Sequence, residues 1–152
     1  MNIPGSNVDI KQTLSLLHQL TKAIYTAASR GEAFSSVLAI ICRNLNWSFA
    51  EAWLPDGNTE RIYRFAHYPE PEDDLDLLAF IEAGQKRTFA RGEGLPGQVW
   101  AGQQPLEKID ISEISAAEFP RLSEAYAVKF RTALGVPILD DENVTAVLLF
   151  FG

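Results

Sequence analysis

The sequence predicts an α+β fold: a central antiparallel β-sheet of five to six strands, sandwiched between layers. Three observations predict it. Apolar residues recur at helical spacing from the start of the chain to Asn46. Alternating apolar segments flank two turn signals, Pro55 to Asn58 and Asp140 to Asn143, which is the pattern of hairpins and so of antiparallel pairing. The first of these strands carries apolar residues on both faces, which places the sheet between two layers. With 152 residues the chain has room for one domain with a real core, spanning 1–152.

The elements follow in order. Residues 1–7 read as a short tail, in which Pro4-Gly5-Ser6 stops what precedes it and Ser6 with Asp9 forms a capping-box pattern. A helix over 8–29 follows. Leu14, Leu17, Thr21, Ile24 and Ala28 form one stripe on it; Leu16, Leu20, Ala23 and Ala27 form a second. A helix apolar on two sides needs two partners, its own domain and a second copy of itself, unless the two stripes merge into one wide core face. Arg30-Gly31 breaks this helix, and a second runs from Glu32 to Asn46 with Phe34, Val37, Leu38, Ile41 and Leu45 on one side. Cys42 borders that stripe as a small buried hydrophobe.

Trp47 to Leu54 and Arg61 to Tyr68 form the first hairpin, with Trp47, Phe49, Glu51 and Trp53 sharing a face. The acidic stretch Pro69 to Asp74 is a solvated loop, and Asp74 caps a helix over Leu75 to Ala83 that Gly84 ends. Thr88-Phe89-Ala90 is a short extended piece, Gly97 to Ala101 a short helix, Pro105 to Ile109 a strand, and Leu122 to Val128 a helix. Thr132 to Leu139 and Val144 to Phe151 close the sheet.

Composition narrows the function. The net charge of −7 repels phosphate backbones and anionic lipid, so neither nucleic acid nor a membrane is the expected partner. The N-terminus lacks the basic-then-apolar layout of a signal peptide, and one cysteine makes no internal disulfide; the expected location is the cytoplasm. Gly92 to Gly97, GEGLPG, matches the glycine spacing of a dinucleotide-binding loop, yet the strand before it is short, the helix after it soon meets Gly102 and Pro105, and Glu93 inside the loop repels pyrophosphate. The better reading is a tight strand-to-helix corner in which Leu95 is an anchor and Val99 and Trp100 reach the core.

That corner, FARGEGLPGQVWAGQQPL, followed by AVKFRTALGVPILDDENVTAVLLFFG, closely resembles the GAF domain family; with the two leading helices and EAWL the resemblance covers almost the whole chain. It implies N-terminal helices packed on one face of the sheet and, in front of the other, a pocket roofed by the irregular, partly helical segment. It also implies a sensory or regulatory module of a larger signalling protein, such as a sensor histidine kinase of a two-component system, and a dimer through the terminal helix. The family usually continues into a C-terminal helix, and since this sequence stops at Gly152 after the last strand, that connecting helix and the downstream signalling domain are expected outside it.

Residue inventory then separates the kinds of member. The stretch FPRLSEAYAVKF lacks Cys and His, which argues against covalent bilin attachment. A single cysteine is too few for the members that reduce free methionine sulfoxide, and too few for an iron–sulfur cluster. His18 and His67 show no ligand spacing, so no metal is expected. No nucleophile–base–acid set is traceable, and the chain is expected not to be an enzyme. The cofactor is left unnamed. An apolar, aromatic pocket for a small flat ligand is expected from Trp53, Phe65, Phe89, Leu95, Trp100, Phe119, Phe130 and Leu134; the same side chains equally suit a filled core. Glu51 interrupts its aromatic face and His67 shares one with Phe65, and both are expected on the pocket side.

Overall fold

The computed structural model describes residues 6–152. Most of the expected tail and the Ser6–Asp9 capping pair lie outside the described residues and side chains. Helix α1 spans Ser6–Thr26, beginning two residues before the expected start and ending three before the expected end. The reason for the early end is local. Ser29 caps helix α2, Arg30–Leu45, by accepting from the Glu32 amide at 3.1 Å, and the Glu32 carboxylate accepts from the Ala28 amide at 3.0 Å. This reciprocal cap makes Arg30 and Gly31 the first turn of α2 rather than a break.

Strands β1, Phe49–Asp56, and β2, Arg61–Tyr68, form the first hairpin. Asp74 caps α3, Leu75–Gln85, by accepting from the Leu77 amide at 3.0 Å, and Gly84 lies inside this helix instead of ending it. Strand β3, Thr88–Phe89, leads to α4, Gly94–Gly102. Strand β4, Leu106–Lys108, a single 3-10 turn at Ile111–Glu113, and α5, Leu122–Val128, fill the irregular middle. Strands β5, Ala133–Asp140, and β6, Asn143–Phe151, form the last hairpin.

The six strands make one antiparallel sheet in the order β3-β2-β1-β6-β5-β4. Helix α2 packs on the back of β1 and β2, and α1 packs on α2. Helices α3, α4 and α5 lie on the other side, as a roof over the front. The core accordingly has two parts. The front part joins Phe49, Trp53 and Phe151 of the sheet to Phe80, Leu95, Trp100, Phe119 and Phe130 of the roof. The back part joins Ala50, Ala52, Leu148 and Phe150 to Leu38 and Cys42 of α2. Burial in that back layer pushes the Cys42 thiol up to about 11.

Helix α1 separates its two stripes. Leu16, Leu20, Ala23 and Ala27 are partly covered, whereas Leu14, Leu17, Thr21, Ile24 and Ala28 all face solvent. Leu14, Leu17 and Ile24 are 61%, 53% and 56% exposed. Ala28 lies past the end of α1, in the connection, so the exposed helical stripe stops at Ile24.

The GEGLPG corner is built on two left-handed glycines, with φ of +83° at Gly92 and +62° at Gly94. A Cβ on Gly94 would fall 2.6 Å from the Phe89 ring. Glu93, exposed, folds back along the loop, accepting from the Ala90 amide at 2.8 Å and lying 3.4 Å from the Arg61 guanidinium. Helix α4 starts at Gly94, three residues earlier than expected, and it buries Leu95, Val99 and Trp100.

Candidate functional site

Two of the expected pocket residues, Phe65 and Leu134, lie on the back of the sheet, as does Trp47 of the expected aromatic strand face, and strand geometry gives each reason. A β-bulge between Ala52 and Trp53 pairs Ala52 with Ala66 but Trp53 with Arg64, leaving Phe65 as the extra residue. The bulge breaks the alternation, and Phe65 turns to the back, edge-on to Phe34 at 5.6 Å and under the Arg30 guanidinium at 5.3 Å. His67, past the bulge, stays in front and stacks on Phe49 at 6.2 Å, with Glu70 3.4 Å from its Nε2. Leu134 pairs with Phe150 and shares its back-facing side; the neighbours Ala133 and Gly135 face front. Trp47 precedes β1 and does not share its face; it packs against Phe150, on the back, at 6.0 Å.

The remaining candidates, Glu51, Trp53, His67, Phe89, Leu95, Trp100, Phe119 and Phe130, do converge on the front. They meet by packing. Phe49, Phe80, Phe130 and Phe151 stack or meet edge-on with centroids 5.2–6.3 Å apart. Trp53 packs on Phe89 at 5.4 Å. Trp100 and Phe130 also border surface clefts, of about 480 and 490 Å³.

At the centre of this aromatic layer sits a charge cluster. Glu51, on the front of β1, is fully buried, and Arg121, from the roof just before α5, is 1% exposed. Arg121 donates from Nη1 to Glu51 Oε1 at 2.7 Å and from Nη2 to Oε2 at 2.8 Å, the two-pronged geometry that suits a guanidinium to a carboxylate. The Trp53 indole N–H donates to Glu51 Oε2 at 2.9 Å. Arg64, 8% exposed, reaches Glu51 Oε1 at 3.5 Å and donates to the Ile81 carbonyl at 2.6 Å and to Gln85 Oε1 at 2.7 Å. The Phe80 ring lies 4.2 Å from the Arg121 guanidinium. These contacts tie β1 and β2 to two parts of the roof, α3 and the segment just before α5.

Gly84 makes the cluster fit. A Cβ there would stand 2.7 Å from Arg121 Nη1, 3.1 Å from Arg64 Nη1 and 3.2 Å from Glu51 Oε1. Burial pushes the Glu51 carboxyl up, but the Arg121 charge and hydrogen bonds, with help from Arg64 and the Trp53 N–H, outweigh it and hold the group below the ordinary carboxylate value of 4.5. Burial and the neighbouring Arg121 charge lower Arg64, against the pull of Glu51 and Glu70.

Sequence reasoning found Glu51 and missed Arg64 and Arg121. Arg64 carried a signal: it alternates with Ile62 on a strand whose Ile62 side is buried. Arg121 carried none, because it lies in an irregular segment without periodicity. Among the described residues, no group of three or more His, Cys, Asp and Glu is placed to hold a metal ion, and no helix is long and apolar enough to cross a membrane.

A six-stranded antiparallel sheet, helices behind and a roof in front define the class: the chain has the GAF-domain fold. It is similar to the GAF domain of a phosphoenolpyruvate-protein phosphotransferase from Coxiella burnetii, at 20% identity and a TM-score of 0.72 over 93% of this chain and 77% of that one. It is also similar to a free methionine-R-sulfoxide reductase from Neisseria meningitidis, at 16% identity and a TM-score of 0.68 over 93% of this chain and 75% of that one. In sequence it matches Protein NLP1 of Oryza sativa subsp. japonica, 24% identical over 129 residues. That match takes in 76% of this chain and only 14% of the rice protein. No family model matches. The reductase corrects one expectation. An enzyme uses this same fold, so the reading of the chain as a non-enzyme is not supported.

Proposed function

We propose that the chain is a sensory or regulatory GAF module of a larger cytoplasmic signalling protein, such as a sensor histidine kinase of a two-component system. The observation that carries this reading is the Arg121–Glu51 bridge, which fastens a roof of short, irregular pieces to the centre of the sheet. On this reading the roof segment that carries Arg121 has two arrangements, latched by the bridge and released from it. A small ligand that binds the released front better than the latched one shifts the balance between them. The aromatic side chains around the bridge suit a small, flat ligand with one polar group for Arg121. The exposed stripe Leu14, Leu17, Thr21 and Ile24 supports a homodimer through α1, because its spacing repeats every seven residues and a second α1 presents the same seam. Released or latched, the roof then acts on a downstream domain through that paired scaffold.

The packing of Phe49, Phe80, Phe130 and Phe151 against one another favours a second reading, a ligand-free dimerisation scaffold. Native mass spectrometry of protein purified from its own source separates the two. A small molecule retained in repeated preparations supports the sensor; the bare chain mass every time supports the scaffold.

A further inference from the structure

The buried cluster holds two guanidinium groups, Arg64 and Arg121, against one carboxylate, Glu51. The other acceptors of Arg64 are neutral, the Ile81 carbonyl and the Gln85 amide oxygen. Glu70 acts on Arg64 from a distance, but its side chain is exposed and pairs with His67. The ring faces of Phe80, Trp53, Phe119 and Phe151 around Arg121 soften the charge without cancelling it. One positive charge thus stays uncompensated in a water-poor interior, which is costly.

We infer that this cluster is an anion site lacking one counter-charge, and that its ligand is a small planar oxyanion of single negative charge. The inference rests on the sensory reading, since the roof segment bearing Arg121 must lift to admit a ligand. The chemistry is an exchange of partners. The oxyanion takes the Arg121 fork, whose two parallel N–H groups match two coplanar oxygens. Glu51 keeps Arg64 and the Trp53 indole N–H, which already reach it. Two cations then face two anions. A doubly charged anion does not suit the place, because with Glu51 it would set three negative charges against the two guanidinium groups.

The test is calorimetric titration of the purified chain with sodium nitrate and with sodium formate, each against sodium chloride at matched ionic strength. Saturable binding of nitrate or formate, absent with chloride, is the expected result. Arg64→Gln restores one cation to one anion and should weaken that binding at least about tenfold, the worth of one charge-assisted hydrogen bond. Glu51→Gln leaves two unopposed cations and should tighten it by about the same factor. Circular dichroism checks that each variant is folded, and the wild-type titration decides alone if a variant is not. No saturable binding to wild type overturns the inference, as does equal affinity in a folded Arg64→Gln. If anions fail while source-purified protein retains a neutral molecule, this inference falls and the sensory reading stands; if neither binds, both fall.

Discussion

Glu51 shows how one residue can be legible and its role still be hidden. A carboxylate on an otherwise aromatic strand face is visible as an interruption in the sequence. Its partner Arg121 stands seventy positions away, and no local pattern links the two. Their pairing makes a pH prediction. Because folding depresses the Glu51 carboxyl, its stabilising contribution is present above the ordinary value of 4.5 and is lost as pH falls below it through the folded-state value. Urea unfolding across this acid range should show stability falling in wild type and a shallower fall in Glu51→Gln. Gly84 makes a second prediction. Alanine in place of an interior helical glycine ordinarily stabilises by about 0.5–1 kcal/mol. Here its methyl would press on Arg121 and Arg64, and Gly84→Ala should instead destabilise by about 1–3 kcal/mol in the same assay.

Elements were read best where one period ran unbroken. Helix α5 was expected over Leu122 to Val128, the range it occupies, and β2 likewise spans Arg61–Tyr68. The misreadings cluster where a local interaction overrides the period. The Ser29–Glu32 cap moved a helix boundary, and one bulge residue sent Phe65 to the back of the sheet. The two faces of α1 allow a test at this scale. Leu17→Glu with Ile24→Glu changes the exposed stripe and should leave the thermal midpoint nearly unchanged while splitting a dimer into monomers by light scattering. Leu16→Glu with Leu20→Glu faces α2 and should lower the midpoint, because it puts charge against a partly buried seam. A wild-type chain that is monomeric at high concentration would remove α1 as an interface.

For the whole molecule, the class of fold was legible because hairpins at both ends dictate antiparallel pairing and the apolar faces dictate layers. The use of the front space was not, since the same aromatic residues suit a filled core or a lined pocket. The structure packs them around an ionic bridge, and the account turns on that bridge as the latch of the roof. Arg121→Met removes it and should cost about 1–3 kcal/mol of stability, because Glu51 loses its two short hydrogen bonds and keeps only Arg64 and the Trp53 indole N–H. The most direct measurement is hydrogen–deuterium exchange of wild type and Arg121→Met, compared peptide by peptide under conditions where both remain folded. The account predicts faster exchange confined to the part of the roof that carries Arg121, residues 109–131, with α2 and β6 protected as before. Unchanged protection of that segment, or loss spread evenly through the sheet, would contradict the latch.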